Sequence, residues 1–475
     1  MMNPKRQRTI KMVAGLGFGD EGKGTMVDYL VRKTGADMVV RYNGGAQAGH
    51  NVWLDDGRHH TFSQLGSGSF NRGVSTLIGP RVFFDPLTFR SEIQVFEKTA
   101  GFRPNVFVCD KTPVITPFHV ALNRIKETLR RFHNNAHGSC GMGVGELAED
   151  IKFYPHEVLR VGDLRNADVV RAKLEFVRRK LFARGIEGDG GNYNPFLVSP
   201  IPEHSRSVIA AILKNSGLSH SVDELVSMYT GIHNVDFFEI DKETRNEFLH
   251  ESDLVFEGAQ GALLDDEYGF PPHNTWSDMS FSWADDLLRD AEILPNDPDD
   301  VEKIGVIRTY HTRHGAGPLP TQGYISQSYL EGKVEDNADG GYQGTFRAGA
   351  FDATLFRYGV YRMMATGLSG LALTHADIFD DPRNLVPIVD SYSFRNDGHE
   401  IRITYKADND QGRRVENQFQ IGNVLKIAKP ERIRGFDNLD EFVAAVEGIA
   451  GLPIRYISWG PTESAKESRR EDENL

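Results

Sequence analysis

The chain has 475 residues with 39% hydrophobic side chains, enough to bury a large core, which excludes wholesale disorder. Its 54 basic and 67 acidic residues leave a net charge of −13 with no dense Lys/Arg run, which disfavours non-specific binding to a nucleic-acid backbone. Cys109 and Cys140 lack metal-ligand spacing, the start is polar, and no apolar run reaches about 18 residues, so a cytoplasmic protein without disulfide scaffold, structural zinc or membrane span is expected.

Residues 1–10 read as a flexible segment, 11–462 as one elaborated domain and 463–475 as a polar, frayed tail. The 48 glycines gather at the ends of apolar runs, where a backbone turns sharply or approaches a ligand. Met12-Val13-Ala14 predicts a strand, Gly15 to Gly24 a glycine loop, and Met26 to Val31 a helix. A second strand, Met38 to Tyr42, runs into Asn43-Gly44-Gly45-Ala46-Gln47-Ala48-Gly49-His50. Strands are expected at Asn105 to Cys109, Asp253 to Phe256, Ile304 to Tyr310 and Gly370 to Thr374. Helices are expected at Phe118 to Phe132, 166–184, 205–215, 351–367 and 439–449. The alternation predicts an α/β fold, a mainly parallel sheet with helices on both faces and ligands at the carboxyl ends of its strands. The polar, alternating segment 392–420 is expected as an antiparallel hairpin appended to that sheet.

Gly17-x-Gly19-x-x-Gly22 fits a dinucleotide fingerprint, with Asp37 placed for a ribose. Gly17-x-x-x-x-Gly22-Lys23 also fits most of a P-loop, although Gly24 stands where a Ser or Thr would bind Mg²⁺. A third reading is a tight turn with a solvated lysine. Two carboxylates, Asp20 and Glu21, would oppose a dinucleotide pyrophosphate, whereas a phosphoryl-transfer site can use an acid as metal ligand or base beside a lysine. The P-loop-like reading is therefore preferred.

Gly19-Asp20-Glu21-Gly22-Lys23-Gly24, followed by Arg41 to Asn51, closely resembles the paired signatures of the adenylosuccinate synthetase family. Leu159 to Leu164, Phe256 to Asp265, Thr312 to Pro318 and Ser458-Trp459-Gly460-Pro461 resemble further blocks of that family in order. The resemblance implies a homodimeric ligase that condenses IMP with L-aspartate at the expense of GTP, through a 6-phosphoryl intermediate and with Mg²⁺. It implies Asp20 as the base at N1 and, with the Gly49 carbonyl, as metal ligand; His50 at the transferring phosphoryl; and Lys23 at the donor phosphates. Gly19, Glu21, Gly22, Gly24, Asp377, Ser458 and Gly460 would bind GTP, with Asp377 on the guanine. Gln47, Cys140, Gln260 and Thr275 would bind the acceptor nucleotide, and Arg347 and Arg313 the amino acid.

The sequence departs from that pattern at ligand positions. Ser139-Cys140-Gly141-Met142-Gly143 stands for Thr-Thr-Gly-Arg-Gly, which replaces a phosphate-binding hydroxyl by a weakly donating thiol. Gln47 stands for Asn, His375 for the lysine of the guanine motif, and Lys152 is nearest to an arginine that a partner subunit would supply. Only Arg347 remains of an arginine cluster in Gly340 to Arg347, which puts the second substrate in question. Phage-type members acting on dGMP carry a smaller residue in place of Asp20, so its presence points to hypoxanthine. The alternatives are a paralogue using another 6-oxopurine (deoxy)nucleotide or nucleoside, another amine or ATP/dATP; a silent nucleotide sensor; and an NAD-dependent dehydrogenase.

Overall fold

The computed structural model describes residues 9–469 apart from 134, 184–219, 294–299, 327–328, 331–341, 382 and 394–410. The first part of the chain supplies β1 (Ile10–Gly15), β2 (Met38–Arg41), β3 (His50–Trp53), β4 (His59–Phe62), β5 (Ser75–Ile78) and β6 (Asn105–Cys109). Next come β7 (Phe238–Ile240), β8 (Leu254–Gly261), β9 (Val301–Arg308), β10 (His311–His314), β11 (Phe346–Gly349) and β12 (Phe351–Asp352). The last are β13 (Gly370–Thr374), β14 (Val386–Ser393), β15 (Lys429–Phe436), β16 (Ile454–Ser458) and β17 (Lys466–Ser468).

A 10-stranded sheet runs β17-β16-β13-β9-β1-β8-β2-β5-β6-β7 and is parallel except at its β16–β17 edge. Side chains alternate across it, as the two-residue period of a strand requires. Val13, Val39 and Val255 pack on Met26, Val27 and Leu30 of α1 (Lys23–Thr34). Met12, Val40 and Phe256 point the other way, onto Leu287, Phe356 and Phe442 from helices Ser282–Asp290, Ala353–Met364 and Leu439–Ala450. The expected α/β architecture, covered on both faces, is the one observed. Around β1 the strand order reverses, with β2, β5, β6 and β7 on one side and β9, β13 and β16 on the other. That reversal opens a crevice at the carboxyl ends, where the glycine loops lie.

Three expectations change. Of segment 392–420, expected as a hairpin, residues 394–410 lie outside the described residues; Tyr392 and Ser393 end β14, which pairs antiparallel with β15 in a separate sheet β12-β14-β15, and the described remainder belongs to a helix, Gln411–Ile427. This helix buries a polar residue, Gln418, which donates to Tyr268 O (2.6 Å) and Gly269 O (3.2 Å), so an apolar stripe does not announce it. Within the expected tail, Glu463–Ala465 form a turn and β17 adds an antiparallel edge, burying Lys466. At the other end Ile10 already belongs to β1. The helix expected at 205–215 lies outside the described residues. Among the described residues no helix is long and apolar enough to cross a membrane.

Candidate functional site

The loop after β1 is folded around its own acid. Glu21 Oε1 accepts from the backbone N–H groups of Gly17 (3.0 Å) and Gly19 (2.7 Å), and its Oε2 lies 2.8 Å from Lys23 Nζ. Lys23 also donates to Gly19 O at 2.5 Å. A Cβ at Gly17 would stand 2.8 Å from the Glu21 carboxylate, so glycine is required by close approach. Glu21, expected at the donor nucleotide, is instead 4% exposed beneath the loop and holds Lys23 in place. The loop ends at Gly22, which starts α1 without a side-chain cap and leaves its N-terminal N–H groups open to an anion. Asp37 accepts from Asp253 N (3.1 Å) at the amino end of β2, the edge opposite this loop, which removes the ribose acid from the dinucleotide reading.

Two cavities meet at the loop. The larger, about 790 Å³, is lined by Gln47, Cys140, Gln260 and Thr275, the residues expected to bind the acceptor nucleotide. The smaller, about 310 Å³, is lined by Gly22, Lys23, Gly24, Asp377, Ser458 and Gly460, expected at the donor. Gly19, Asp20, Gly49 and His50 line both. In the larger cavity both amide atoms of Gln47 and Oε1 of Gln260 are buried without a hydrogen-bond partner, which marks them for a polar ligand. Burial pushes the Cys140 thiol up, leaving it neutral. In the smaller one, Tyr329 donates to Asp377 Oδ1 (3.3 Å) and Ser458 Oγ to Gly460 O (2.9 Å).

His50, first residue of β3, is held by Glu257 of β8: Nδ1 lies 2.5 Å from Oε1. Ser67 donates to the same carboxylate through its hydroxyl and, at 2.9 Å, its backbone N–H. Burial alone would raise Glu257, but the Arg41 charge and the His50 and Ser67 hydrogen bonds outweigh it and bring it down to about 2. Burial lowers His50, with Glu257 pulling the other way. A neutral imidazole donating from Nδ1 to an ionised carboxylate satisfies both, with Nε2 left for the ligand. Gly24 packs against this pair, and a Cβ there would lie 2.6 Å from His50 Cβ and 3.0 Å from Ser67 Oγ. Gly24→Ala is expected to displace the imidazole and destabilise the fold by about 1–3 kcal/mol. Thermal unfolding and steady-state assay check the two effects.

Asp20 is a quarter exposed, at 23%, where the cavities join. Burial raises its carboxyl above the ordinary 3.8, countered in part by His314 and Arg308. Arg308 donates to the Asp20 carbonyl. The Asp20 carboxylate and the Gly49 backbone line one cavity with Lys23, and such oxygen donors fit Mg²⁺, which takes hard oxygen ligands and commonly draws several from phosphates and water. Among the described residues no cluster of three or more His, Cys, Asp or Glu could hold a metal without a ligand's help.

Of the two arginines expected at the amino acid, Arg313 lines the larger cavity and Arg347 an adjoining one. Arg313 is 2% exposed, and its guanidinium donates to Ala316 O (3.1 Å), Pro318 O (3.1 Å) and His273 O (2.7 Å) while stacking 4.1 Å over Phe18. It orders loops. Arg347, its partner across β10–β11, donates to Gln322 Oε1 and Gly317 O and lines a cavity of about 390 Å³ that shares Gly138, Ala316, Gln343 and Gly344 with the larger one. Arg313→Lys is therefore expected to lower the unfolding midpoint, through hydrogen bonds worth about 1.5–3 kcal/mol each, with no selective rise in KM for the amine.

Sequence reasoning missed Glu257, although it stands in the quoted Phe256-Glu257-Gly258 run; a carboxylate ending an apolar strand was the available signal. His314 likewise stands in the quoted Thr312 to Pro318 run, whereas Ser67 carried no signal, because its role comes from pairing across the fold.

Comparison with known proteins bears on the chain as a whole. The adenylosuccinate synthetase family profile matches residues 12–466. The adenylosuccinate synthetase 1 of Pseudoalteromonas translucida is 30% identical over 466 residues, covering 95% of this chain and 96% of that one. The adenylosuccinate synthetase of Chlorobaculum tepidum is 29% identical over 456 residues, covering 95% of each. Among solved structures, the fully ligated adenylosuccinate synthetase of Plasmodium falciparum superposes with a TM-score of 0.71 at 17% identity, over 97% of this chain and 100% of that one. The cyanophage S-2L succinoaminodeoxyadenylate synthetase (PurZ), bound to dGMP and dATP as an energy donor, superposes with a TM-score of 0.54 at 14% identity, over 98% and 96%. The family uses Mg²⁺ and comprises C–N ligases of purine metabolism. A profile spanning nearly the whole chain, on a fold whose loops meet at Asp20, makes this protein a divergent member of the adenylosuccinate synthetase family.

Proposed function

We propose that the chain is a purine nucleotide ligase. A purine nucleoside triphosphate in the smaller cavity phosphorylates the 6-oxo group of a purine nucleotide in the larger one, and an amine then displaces the phosphate to form a C–N bond. The shared wall carries this reading: Gly19, Asp20, Gly49 and His50 face both cavities, as transfer between two bound nucleotides demands. IMP, GTP and L-aspartate, giving adenylosuccinate, GDP and phosphate, are the reference substrates, and a homodimer the reference assembly.

A 6-oxo group cannot leave as oxide, so O6 must first become a nucleophile and then a phosphate ester. Asp20 removes the N1 proton, its raised carboxyl making it a better proton acceptor than an ordinary aspartate. Lys23, the open start of α1 and His50 offset charge on the donor and transferring phosphates. Asp20 and the Gly49 backbone would hold Mg²⁺, which neutralises donor phosphate charge when bound. The loop carbonyls that already engage the Arg313 guanidinium give reason to assay amines other than L-aspartate.

The test is release of phosphate with GTP, Mg²⁺, IMP and L-aspartate, extended to ATP, other 6-oxopurine nucleotides and other amines, with products identified by mass. Release that depends on both acceptor and amine is expected. No release above background across the panel would overturn the reading, and tight nucleotide binding without release would identify a sensor.

A further inference from the structure

Three of the segments around the smaller cavity are the start of α1 (Gly22 to Thr25), the β3–β4 hairpin (His50, Asn51, Trp53) and the loop after β16 (Ser458 to Pro461). One short stretch, Thr462 to Lys466, is tied to all three while lining neither this cavity nor the larger one. Lys466 Nζ donates to the carbonyls of Thr462 (2.6 Å) and Gly460 (3.2 Å), and Trp459 N donates to Ala465 O (2.9 Å), which folds the stretch back onto the loop. Ser464 Oγ donates to Asp55 Oδ1 (2.6 Å) in the turn of the hairpin, and Glu463 pairs with Arg32 of α1 at 3.4 Å.

Lys466 is 9% exposed, and the charges it faces are carboxylates from each of these elements: Asp28 of α1, Asp55 of the hairpin and Glu463 of its own turn. Asp28 is fixed in turn by Arg32 (3.0 Å) and Asn71 (3.0 Å). An ammonium among three carboxylates and two carbonyls draws them together, whereas a neutral amine in its place leaves the carboxylates to repel one another. We propose that Lys466 is a positioning residue for the donor nucleotide: its charge holds α1, the hairpin and the Ser458 to Pro461 loop at the spacing that closes on the ligand, and donor binding weakens when that charge is lost. Burial lowers the ammonium to about 8, with Asp28, Asp55 and Glu463 pulling the other way. The charge is therefore complete below that value and is lost as pH rises through it, and affinity for the donor should follow.

The inference rests on the ligase reading only in taking the smaller cavity as the donor site, and its test separates the two. Mg²⁺ with GDP or with ADP is titrated into the full chain by calorimetry at neutral pH and at about pH 9, either side of the lysine's value, and IMP is titrated as the control for the larger cavity. The unsubstituted chain is expected to bind the diphosphate about tenfold more weakly at the higher pH. Lys466→Met is expected to bind it weakly at both, and Lys466→Arg, whose guanidinium stays charged, tightly at both. Ionisation of the purine itself is common to all three proteins and cancels in their ratios, and IMP affinity at each pH is expected to be the same in all three. Equal losses of diphosphate and IMP affinity in Lys466→Met, no loss of either at neutral pH, or a Lys466→Arg profile parallel to that of the unsubstituted chain would overturn the assignment. If Lys466→Met does not fold, the Lys466→Arg profile decides. The expected profiles without phosphate release in the panel above would uphold Lys466 and overturn the ligase reading, and no nucleotide binding at all would overturn both.

Discussion

Asp20→Asn is expected to remove turnover by a factor of about 10²–10⁴, the usual contribution of a positioned base, while the donor nucleotide still binds. Phosphate release and GDP titration measure the two effects. The same substitution is expected to stabilise the metal-free, ligand-free protein at neutral pH. A carboxyl raised above 3.8 by burial holds its proton more tightly in the folded state than in the unfolded chain. Its contribution to stability therefore declines as pH rises from 3.8 through the raised value, and an ionised Asp20 at neutral pH works against folding. Asparagine has the same shape and no charge, so the unfolding midpoint should rise as activity vanishes. A lowered midpoint would show that Asp20 serves the fold rather than the chemistry.

Glu257→Gln is expected to act in the opposite sense on stability. It removes the carboxylate that accepts from His50 and Ser67 and faces the buried Arg41, leaving a buried cation without its counter-charge. Removing one partner of such a pair costs about 3–5 kcal/mol, measurable by denaturant unfolding. Because the carboxyl is held down at about 2, against an ordinary 4.5, its contribution is complete above 4.5 and is lost as pH falls through 2. Acid unfolding of the unsubstituted protein should show this loss, and Glu257→Gln should lack that part of it. Turnover should fall by about 10²-fold, since an imidazole without its acceptor has no fixed orientation. Glu257→Asp should recover part of the rate. A Glu257→Gln protein that folds with an unchanged rate would show that the carboxylate serves structure alone.

Asp20 and Glu257 differ in how far the sequence announces them. Asp20 sits inside a glycine loop between an apolar strand and an amphipathic helix, where local pattern and chemistry point to the same residue. Glu257 belongs to an equally recognisable run, but its task depends on His50, 207 positions away, arriving at the same carboxylate as Ser67. The helix at Gln411–Ile427 shows the same limit for fold: Gln418 is buried because Tyr268 and Gly269 offer carbonyls, a partner that periodicity cannot see. Arg313 shows it for chemistry. A guanidinium reads as a carboxylate ligand in sequence, and only the converging carbonyls of Ala316, Pro318 and His273 show that its donors are occupied.

By itself the sequence determined the class of fold, the strand–loop–helix unit around Asp20, and the family, because hydrophobic period, glycine placement and short motifs are properties of neighbouring residues. Tertiary structure decided that Glu21 faces inward onto Lys23, that loop carbonyls engage the Arg313 guanidinium, and that His314 Nε2 stands 3.5 Å from Asp20 Oδ2. Those outcomes depend on which distant atoms share one low-dielectric space. There the demand that every buried polar group find a partner, in the protein or in a ligand, outweighs local preference.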